Sequence, residues 1–318
     1  METKILKFLK ENNHSFVSGE EISRKLQVSR TAVWKHIQHL KECGYEITAQ
    51  PHLGYRLSGV PDRMLPDEIA DGLATAVMGK KIISYASTTS TNDVASVLAE
   101  QGAREGTLVV AEHQTKGRGR LGRAWASPGN SGLYFSLILR PDIQPAEAGK
   151  ITLMSAVGVA KVLRGYGAAA AIKWPNDVYL DKEKVCGILT EMSAEQDLIN
   201  FIVVGIGINI NADSGVLPAG ATSLKINRGE KIDRILLLQR LLRELEHIYD
   251  DVNSKNFSNI IQMWRDYSMT LGHRVNVTWR GNLVEGQAMD VDETGALIVR
   301  DDFGFLHHVH SGDITMVR

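Results

Sequence analysis

The chain has 318 residues and a formal net charge of −1 at pH 7, from 36 lysines and arginines against 37 acidic residues. Hydrophobic residues make up 43% and charged residues 23%, which excludes a disordered or fibrous chain and suggests about two domains of ~150 residues each. The two cysteines exclude a disulfide framework and a four-cysteine zinc site. No apolar run reaches the ~20 residues of a membrane span, and the N-terminal residues lack the pattern of a secretory signal. We therefore expect a cytoplasmic protein with no membrane partner.

Residues 1–60 carry the pattern of a small helical unit followed by a β-hairpin. The segment from Ser18 to Glu21 has the form of a capping box at a helix start, and the spacing of apolar residues from Val33 to Leu40 places them on one face of the next helix. Alternation in residues 45–58 predicts two strands around a turn. Short helices and a hairpin in this order are typical of a winged helix-turn-helix DNA-binding domain.

The last helix of this unit presents outward side chains that can reach phosphates or base edges of DNA. They are Arg30, Thr31, Trp34, Lys35 and Gln38, with Lys41 one turn further on. Residues 1–60 hold nine basic and six acidic residues, a net charge of +3 in a chain whose total is −1. The alternative is a three-helix interaction module with a solvated basic face. The turn, the caps and the polar face together favour DNA binding.

Residues 67–270 alternate helix and strand signals, and residues 59–66, which contain two prolines, look like a linker before them. Strands are predicted at residues 81–86, 107–113, 133–140, 170–174, 184–192 and 200–210. Helices are predicted at residues 92–101, 146–165, 231–250 and 257–268. Short strand segments follow in residues 271–318, with turns at Arg280-Gly281-Asn282 and near Gly295, and predict a small all-β barrel. The predicted domains are thus residues 1–60, 67–270 and 271–318.

The most informative segment is TKGRGRLGRAWASPGN at residues 115–130. Its portion from Gly117 to Gly122 matches G-x-G-x-x-G, but a dinucleotide site needs a helix to begin here, and another strand follows instead. What remains is a glycine-rich loop with Arg118, Arg120 and Arg123, whose like charges repel until an anion binds. We therefore predict a loop that closes on a phosphate-bearing ligand, with a solvated basic surface loop as the alternative.

Several polar clusters accompany this loop. Thr89-Ser-Thr-Asn92 offers hydroxyls and an amide at a helix start, which suits a small polar head group, although a plain N-cap has the same composition. Lys173-Trp-Pro-Asn-Asp177 places a cation, an amide and a carboxylate around an extended turn, and Lys184 adds a cation at the start of KVCGILTE. Glu112-His-Gln114 ends the strand before the loop, and Gly205-Ile-Gly-Ile-Asn209 ends a strand whose glycines allow close backbone approach.

Taken in this order, TSTN, EHQTKGRGRLGRAW, KWPND, KVCGILTE and GIGIN closely resemble the biotin protein ligases. With the winged helix in front, the chain resembles the bifunctional form that also represses biotin genes. The resemblance implies an α+β multidomain protein with a central mixed sheet, related to class II tRNA synthetases, and a C-terminal SH3-like β-barrel. It implies that biotin and ATP, with Mg²⁺, form biotinyl-5′-AMP, and that biotin passes to a lysine of the biotin carboxyl carrier protein of acetyl-CoA carboxylase. It also implies a homodimer, promoted by biotinyl-AMP, that binds operator DNA.

The resemblance also assigns roles to residues at matching positions. Catalytic roles fall to Lys184, Arg118 and Arg120, whose positive charge meets the charge that develops at phosphorus. The biotin-binding positions are Ser90, Thr91, Asn92, Gln114, Arg118, Gly119, Arg120 and Lys184. The nucleotide-binding positions are Arg123, Trp125, Asn176 and Asn209, and Asp177 is the position expected to bind Mg²⁺.

Two other functions compete with this interpretation. A repressor that senses a small ligand without catalysis would keep the winged helix and the pocket but would not need clustered cations. A lipoate ligase would perform the same chemistry, but its relatives lack the GRGRLGR loop. The histidines at positions 307, 308 and 310 suggest a metal site, yet His307 and His308 point to opposite faces of a strand, which favours surface histidines. Cys186 alternates inward and is predicted to be a core thiol.

Overall fold

The structure is a computed structural model that describes residues 1–279 and 281–317, so the predicted turn residue Arg280 lies outside the described residues. The chain forms two compact units, residues 1–63 and residues 64–318. The first boundary falls inside the predicted linker. The predicted boundary at Leu271 lies within the second unit and stays a prediction.

The first unit contains three helices and a two-stranded antiparallel hairpin among its described residues. They are α1 Glu2–Glu11, α2 Gly19–Leu26, α3 Arg30–Glu42, β1 Glu46–Gln50 and β2 Gly54–Gly59. The Ser18 hydroxyl accepts from the Glu21 N–H at 3.0 Å, and the Ser29 hydroxyl accepts from the Ala32 N–H at 3.1 Å, so both later helices begin at capped donors. Apolar side chains from all three helices are fully buried between them. The predicted helix-turn-helix with its hairpin is confirmed.

The second unit adds six α-helices and twelve strands within the part of the chain that the structure describes. The helices are α4 Pro66–Ala70, α5 Thr91–Glu100, α6 Gly149–Gly165, α7 Leu224–Arg228, α8 Arg234–Asn253 and α9 Ser258–Tyr267. The central strands are β3 Ile82–Tyr85, β4 Leu108–Ala111, β5 Gly132–Leu139, β6 Ala170–Lys173, β7 Asp177–Leu180, β8 Glu183–Glu195 and β9 Leu198–Asn209. The C-terminal strands are β10 Arg274–Trp279, β11 Asn282–Val291, β12 Leu297–Arg300, β13 Leu306–Val309 and β14 Asp313–Met316.

Strands β3 to β9 form one mixed sheet in the order β3-β4-β5-β9-β8-β7-β6. The β3–β4 pair is parallel and the other neighbours are antiparallel, so the mixed sheet expected from the resemblance is confirmed. Side chains alternate between two hydrophobic clusters, because successive strand residues face opposite sides. Val110 and Phe135 join the large core with α6, α8 and α9, whereas Val109 and Ile138 join a smaller cluster with α5. Strand β7 was not predicted; it lies between the predicted strands at residues 170–174 and 184–192.

Strands β10 to β14 form a second, antiparallel sheet in the order β13-β12-β11-β10-β14. Within the described residues β13 and β14 are its two edges and do not pair with each other, so these pairings do not close the sheet and the SH3-like barrel stays a prediction. The inner side chains of β10, β12 and β13, among them Val275, Val299 and Val309, pack into the large core of the second unit. None of the helices in the described ranges is long and apolar enough to cross a bilayer.

Candidate functional site

The start of α5 and the end of β4 build one wall of a polar pocket. Ser90, Thr91 and Asn92 are buried there, although their side chains are polar. The backbone N–H of Thr91 donates to Gln114 Oε1 at 2.9 Å, and the Thr91 hydroxyl donates to the same oxygen at 3.2 Å. Gln114 Nε2 in turn donates to the Ser127 hydroxyl at 2.9 Å. The predicted biotin-binding positions 90, 91, 92 and 114 therefore lie side by side, and hydrogen bonds fix the orientation of the Thr91 hydroxyl and the Gln114 amide.

Asn92 is held from both sides of its amide. Its Nδ2 donates to Glu191 Oε2 at 2.7 Å and to the Leu189 carbonyl at 3.2 Å, while its Oδ1 accepts from the Ser136 hydroxyl at 2.6 Å. A Cβ atom on Gly205 would lie 2.0 Å from Asn92 Oδ1, so this amide can occupy its place only because position 205 is glycine.

The arginine-bearing segment, residues 117–125, is a compact hairpin that we call the arginine loop. The N–H of Gly119 donates to the Arg123 carbonyl at 2.7 Å, and the N–H of Trp125 donates to the Gly117 carbonyl at 2.9 Å. Between these bonds a short 3₁₀ turn places Leu121 at φ 54°, in the left-handed region. The loop is thus ordered by its own backbone hydrogen bonds.

Each arginine of this loop has a polar partner on another element. Arg118 Nη2 donates to Asp93 Oδ1 at 2.6 Å and to Glu191 Oε2 at 3.0 Å. Arg120 Nη1 donates to Asn176 Oδ1 at 3.1 Å and to the Gly312 carbonyl at 3.2 Å. Burial lowers the pKa of Arg120, against the opposing effects of nearby carboxylates.

Arg123 completes this pattern through an ion pair with Asp313, the first residue of β14. The sequence predicted mutual repulsion of these arginines until an anion binds, and this was wrong, because each arginine has an accepting group as partner. Carboxylates and carbonyls that are remote in sequence already compensate the positive charges.

Lys184 lies over the ring of Trp125, and this ring packs against two glycines, Gly187 and Gly207. Lys184 Nζ lies 2.7 Å from Asp177 Oδ1 and 5.5 Å from the centroid of the Trp125 ring. A Cβ atom would lie 2.9 Å from Trp125 Cζ3 if built on Gly187 and 2.4 Å from Trp125 Nε1 if built on Gly207. These two glycines are direct partners in the β8–β9 ladder, so together they make room for one flat aromatic ring. The Trp125 Nε1–H is buried and finds no hydrogen-bond acceptor among the described residues.

These elements bring most of the predicted positions to a single cleft. Its lining includes Ser90, Thr91, Asn92, Gln114, Arg118, Gly119, Arg120, Arg123, Trp125, Asn176, Asp177 and Lys184. Asn209 is not among them: it is buried, its Nδ2 donates to the Thr222 carbonyl at 3.0 Å, and it borders an adjoining cleft that Trp125 and Lys184 also line. Hydrogen bonds and ion pairs define two groups in this lining. Thr91 and Gln114, with Ser90 and Asn92, form what we call the polar end, and Arg120 and Lys184, beside Asn176 and Asp177, form what we call the cationic end. A cleft of this kind suits a molecule with a polar head and a phosphate group.

Sequence reasoning missed several residues that hold this site together. Asp93, Glu191 and Asp313 pair with the arginines, and Ser127 and Ser136 support Gln114 and Asn92. Asp93 directly follows the TSTN motif and Glu191 is the last residue of KVCGILTE, so their positions in the sequence could have indicated a role in the site. No sequence signal links Asp313 to a loop some 190 positions earlier.

Glu112, although its motif borders the loop, does not face the cleft. Its Oε2 accepts from Arg234 Nη1 at 2.9 Å, and its Oε1 accepts from the Met64 N–H at 2.5 Å. Arg234 is completely buried. This ion pair joins the end of β4 to the first residue of α8, and it is a structural feature of the core.

The described residues contain no cluster of three or more histidine, cysteine or carboxylate side chains suited to a metal ion. His307 and His308 instead pair with Asp301 and Asp292, at 2.8 Å each, so they do not form the metal site that their spacing allowed. Cys186 is fully buried and burial raises its pKa, in agreement with a core thiol.

The first unit presents the predicted DNA-contacting side chains on one surface. Arg30, Thr31, Trp34 and Lys35 are exposed at the N-terminal half of α3, with 52% of Trp34 accessible, and Gln38 is half-buried. A cleft between α3 and the hairpin is lined by Arg30, Thr31 and Trp34 on one side and by residues 49–55 of the hairpin on the other. A polar helix face beside a hairpin is the arrangement that winged helices use on DNA.

Three family models match successive parts of the chain. Residues 2–56 match an HTH domain, residues 84–209 match the biotin/lipoate A/B protein ligase family, and residues 270–317 match the biotin protein ligase C-terminal domain.

Named relatives extend this similarity to the full length. The bifunctional ligase/repressor BirA of Bacillus subtilis is 39% identical over 98% of this chain and 97% of its own length. A biotin–[acetyl-CoA-carboxylase] ligase of Mycobacterium tuberculosis is 34% identical over 81% of this chain and 98% of its own length. The structure of the Aquifex aeolicus biotin protein ligase with biotin and ATP superposes with a TM-score of 0.64 at 30% identity, covering 75% of this chain and 99% of that one. The chain therefore belongs to the biotin protein ligase family, with the domain order of the bifunctional ligase/repressors.

Proposed function

We propose that this protein activates biotin with ATP to biotinyl-5′-AMP and transfers biotin to a lysine of the biotin carboxyl carrier protein of acetyl-CoA carboxylase. The observation that carries this proposal is the single cleft in which a buried amide and hydroxyl cluster adjoins Arg118, Arg120 and Lys184. A ligand-sensing repressor would have no use for three cations in its pocket. The relatives named above bear the names of biotin ligases, which favours biotin over lipoate.

The polar end of the cleft is proposed to bind the ureido ring of biotin. A ureido group has two N–H donors and one carbonyl acceptor. Thr91, Asn92 and Gln114 supply amide and hydroxyl groups whose orientation the surrounding hydrogen bonds have fixed, and Ser90 supplies a further buried hydroxyl. Gly119 and Arg118 of the arginine loop border the same space. Such preorganised polar groups lose little conformational entropy when the ligand arrives.

The cationic end is proposed to stabilise the adenylation step. The biotin carboxylate attacks the α-phosphorus of ATP, an acid anhydride bond forms there, and pyrophosphate leaves with the bond electrons. Negative charge grows on the phosphoryl oxygens. Arg120 and Lys184 lie at this end, and Arg118 lines the same cleft. Arg123, Trp125 and Asn176 line the same cleft and Asn209 borders the adjoining one, and these four residues are proposed to bind the nucleotide.

The carboxylate of Asp177 is a suitable ligand for Mg²⁺. Magnesium ions in nucleotide sites are bound by one or two carboxylates and by substrate phosphates, so a single carboxylate is sufficient. Asp177 lines the cleft beside Lys184. When bound, the ion would supply a Lewis acid for the phosphate oxygens.

In the second step the acceptor lysine amine attacks the anhydride carbonyl, and AMP leaves. The arginine loop and Trp125 border the cleft that holds this bond. A closed loop keeps water from hydrolysing the anhydride before the acceptor arrives.

The first unit is proposed to repress transcription of biotin genes, with biotinyl-AMP as corepressor and the α3 surface on operator DNA. We further propose that the protein acts as a homodimer on DNA. The C-terminal strands are proposed to form an SH3-like barrel, since side chains of all five strands are buried against one core. The division into residues 1–60, 67–270 and 271–318 is part of this proposal, as is a relationship of the central sheet to class II tRNA synthetases.

Two measurements test the proposal. Incubation with radiolabelled ATP, Mg²⁺ and biotin is expected to yield labelled adenylate, and addition of the carrier protein is expected to consume it. Absence of adenylate with any divalent metal would contradict the ligase function. A mobility-shift assay on DNA from a biotin operon, with and without biotin and ATP, tests repression in the same preparation.

A further inference from the structure

Behind the residues that line the cleft lies a carboxylate with two separate partners. Glu191, near the middle of β8, accepts from Asn92 Nδ2 at 2.7 Å and from Arg118 Nη2 at 3.0 Å. Asn92 stands at the polar end of the cleft and Arg118 belongs to the arginine loop. The Glu191 side chain therefore contacts both the polar end of the cleft and the arginine loop.

The contact with Asn92 decides which way its amide points. A carboxylate only accepts hydrogen bonds, so the NH₂ group of Asn92 must face Glu191 and the oxygen must face Ser136. The Ser136 hydroxyl donates to that oxygen at 2.6 Å. The Leu189 carbonyl accepts from Asn92 Nδ2 at 3.2 Å. Without the carboxylate, the buried amide of Asn92 would therefore keep only this longer bond and would lose the shorter of its two acceptors.

The contact with Arg118 ties the arginine loop to β8. Asp93 Oδ1 is the other acceptor, at 2.6 Å. The Arg118 side chain is 42% exposed, so each ion pair alone contributes little to stability. Its effect is instead to reduce the conformational entropy that the loop loses when it closes on the adenylate.

We infer that Glu191 is a positioning residue of the ligase reaction, which sets the amide of Asn92 for biotin and retains the loop over the adenylate. The inference rests on the proposed function, because it concerns the same cleft. It separates into two effects that different substitutions remove.

Three variants separate these effects. In Glu191→Gln an amide oxygen still accepts from Asn92, but the charge opposite Arg118 is lost. In Asp93→Asn only the second carboxylate of Arg118 is lost, so this variant is the matched control. In Glu191→Ala both contacts disappear.

Loss of one exposed ion pair is expected to speed release of biotinyl-AMP about threefold in Glu191→Gln and in Asp93→Asn, with the KM for biotin nearly unchanged. Loss of the shorter of two acceptors for a buried amide is expected to raise the KM for biotin about tenfold in Glu191→Ala, with kcat affected much less. Biotin affinity by titration calorimetry is expected to follow the KM, and a thermal melt of each variant checks folding.

Glu191→Ala with a wild-type KM, or with a lowered kcat and melting temperature at unchanged KM, would overturn the inference. If Glu191→Ala does not fold, Glu191→Gln decides: release at the wild-type rate contradicts the role on the loop. Failure of the wild-type protein to form adenylate is a different result, because it contradicts the proposed function itself.

Discussion

Lys184 brings a positive charge to the cleft, and Asp177 and Trp125 fix the position of its ammonium group. Its ammonium group lies 2.7 Å from Asp177 Oδ1 and close to the ring of Trp125. Because it is held before the reaction, it needs little reorganisation when charge develops at phosphorus. We expect Lys184→Ala to slow adenylate formation by about 10²- to 10³-fold, the scale for loss of one preorganised group. Single-turnover measurements with labelled ATP give this rate directly.

A matched control for this prediction is Lys80→Ala. Lys80 is exposed in the turn before β3 and is not among the residues that line the cleft. The control is expected to adenylate biotin at the wild-type rate. An unchanged first-turnover rate in Lys184→Ala would remove the assignment of Lys184 to this step.

Arg120 is expected to help retain biotinyl-AMP, the intermediate of the reaction, in the cleft. It is the most buried cation of the arginine loop, and its partners Asn176 and Gly312 lie on different elements. Arg120→Ala should weaken adenylate binding by about 1–3 kcal/mol, the usual range for a lost charge-assisted contact, while the fold survives. Release of labelled biotinyl-AMP during gel filtration measures it. Retention equal to wild type would contradict a role of this arginine on the ligand.

At the scale of elements, the C-terminal sheet is predicted to lose stability in acid. The carboxylate of Asp292 accepts from His308 and from the turn residue Thr294. Burial alone would raise the pKa of Asp292, but the bonds from His308 and Thr294 outweigh it, and the pKa lies below its ordinary value. A lowered folded-state pKa stabilises the protein above the unfolded value of ~3.9, and this stability is lost as pH falls through the folded value.

Asp292→Asn should therefore be less stable than wild type by about 1 kcal/mol at pH 6, and the difference should shrink below pH ~4. Urea unfolding between pH 3 and pH 6 measures the difference. Asp197→Asn, in the exposed turn between β8 and β9, is the control. A difference from wild type that does not change with pH would show that ionisation of Asp292 is not its cause.

At the scale of the whole molecule, the two compact units are expected to have separable functions. The second unit has its own core, and the N–H of its first residue, Met64, donates to the buried Glu112. Deletion of residues 1–63 is therefore expected to abolish DNA binding and leave most of the ligase activity. Mobility shift and carrier biotinylation, measured on one preparation, give both results.

A point-mutation control keeps the full chain. Arg30→Ala with Lys35→Ala removes two exposed cations from α3 and should weaken DNA binding without changing biotin transfer. A truncated protein that still bound the operator would contradict the assignment of the first unit.

Ligand-linked dimerisation is the second prediction for the whole molecule. Residues 1–60 carry a net charge of +3 and one recognition helix, a small footprint for tight binding by a single copy. Two copies related by a two-fold axis would double the contacts and read a palindromic site. Biotinyl-AMP that orders the arginine loop should leave less entropy to be lost on dimerisation. We therefore expect it to increase dimerisation and operator affinity together.

Sedimentation with and without biotinyl-AMP measures the monomer–dimer constant. A constant that does not respond to the adenylate would refute the linkage, even if the protein represses. Addition of unbiotinylated carrier protein, which consumes the adenylate, should reverse the effect on DNA binding.

Much of this protein follows from its sequence by local physics. The spacing of apolar residues in α3 and α8 expresses the 3.6-residue period of a helix, and the short apolar runs of β4, β5 and β9 are typical of buried strands. A short window of sequence contains both signals. Helix caps such as Ser18 are equally local. The polar clusters that line the cleft could be selected for the same reason, since each one is a short run of residues with matched chemistry.

Only the tertiary structure decided which of these groups meet. The partners of Arg118 and Arg123 come from α5, β8 and β14. The periodic pattern of apolar residues does not predict such contacts. The sequence therefore predicted repulsion in the arginine loop, where the fold supplies compensating carboxylates. It could not show that Glu112 pairs with Arg234, nor in which order the five C-terminal strands pair. Periodicity and capping are properties of neighbours along the chain, whereas charge compensation and sheet closure depend on residues that only folding brings together.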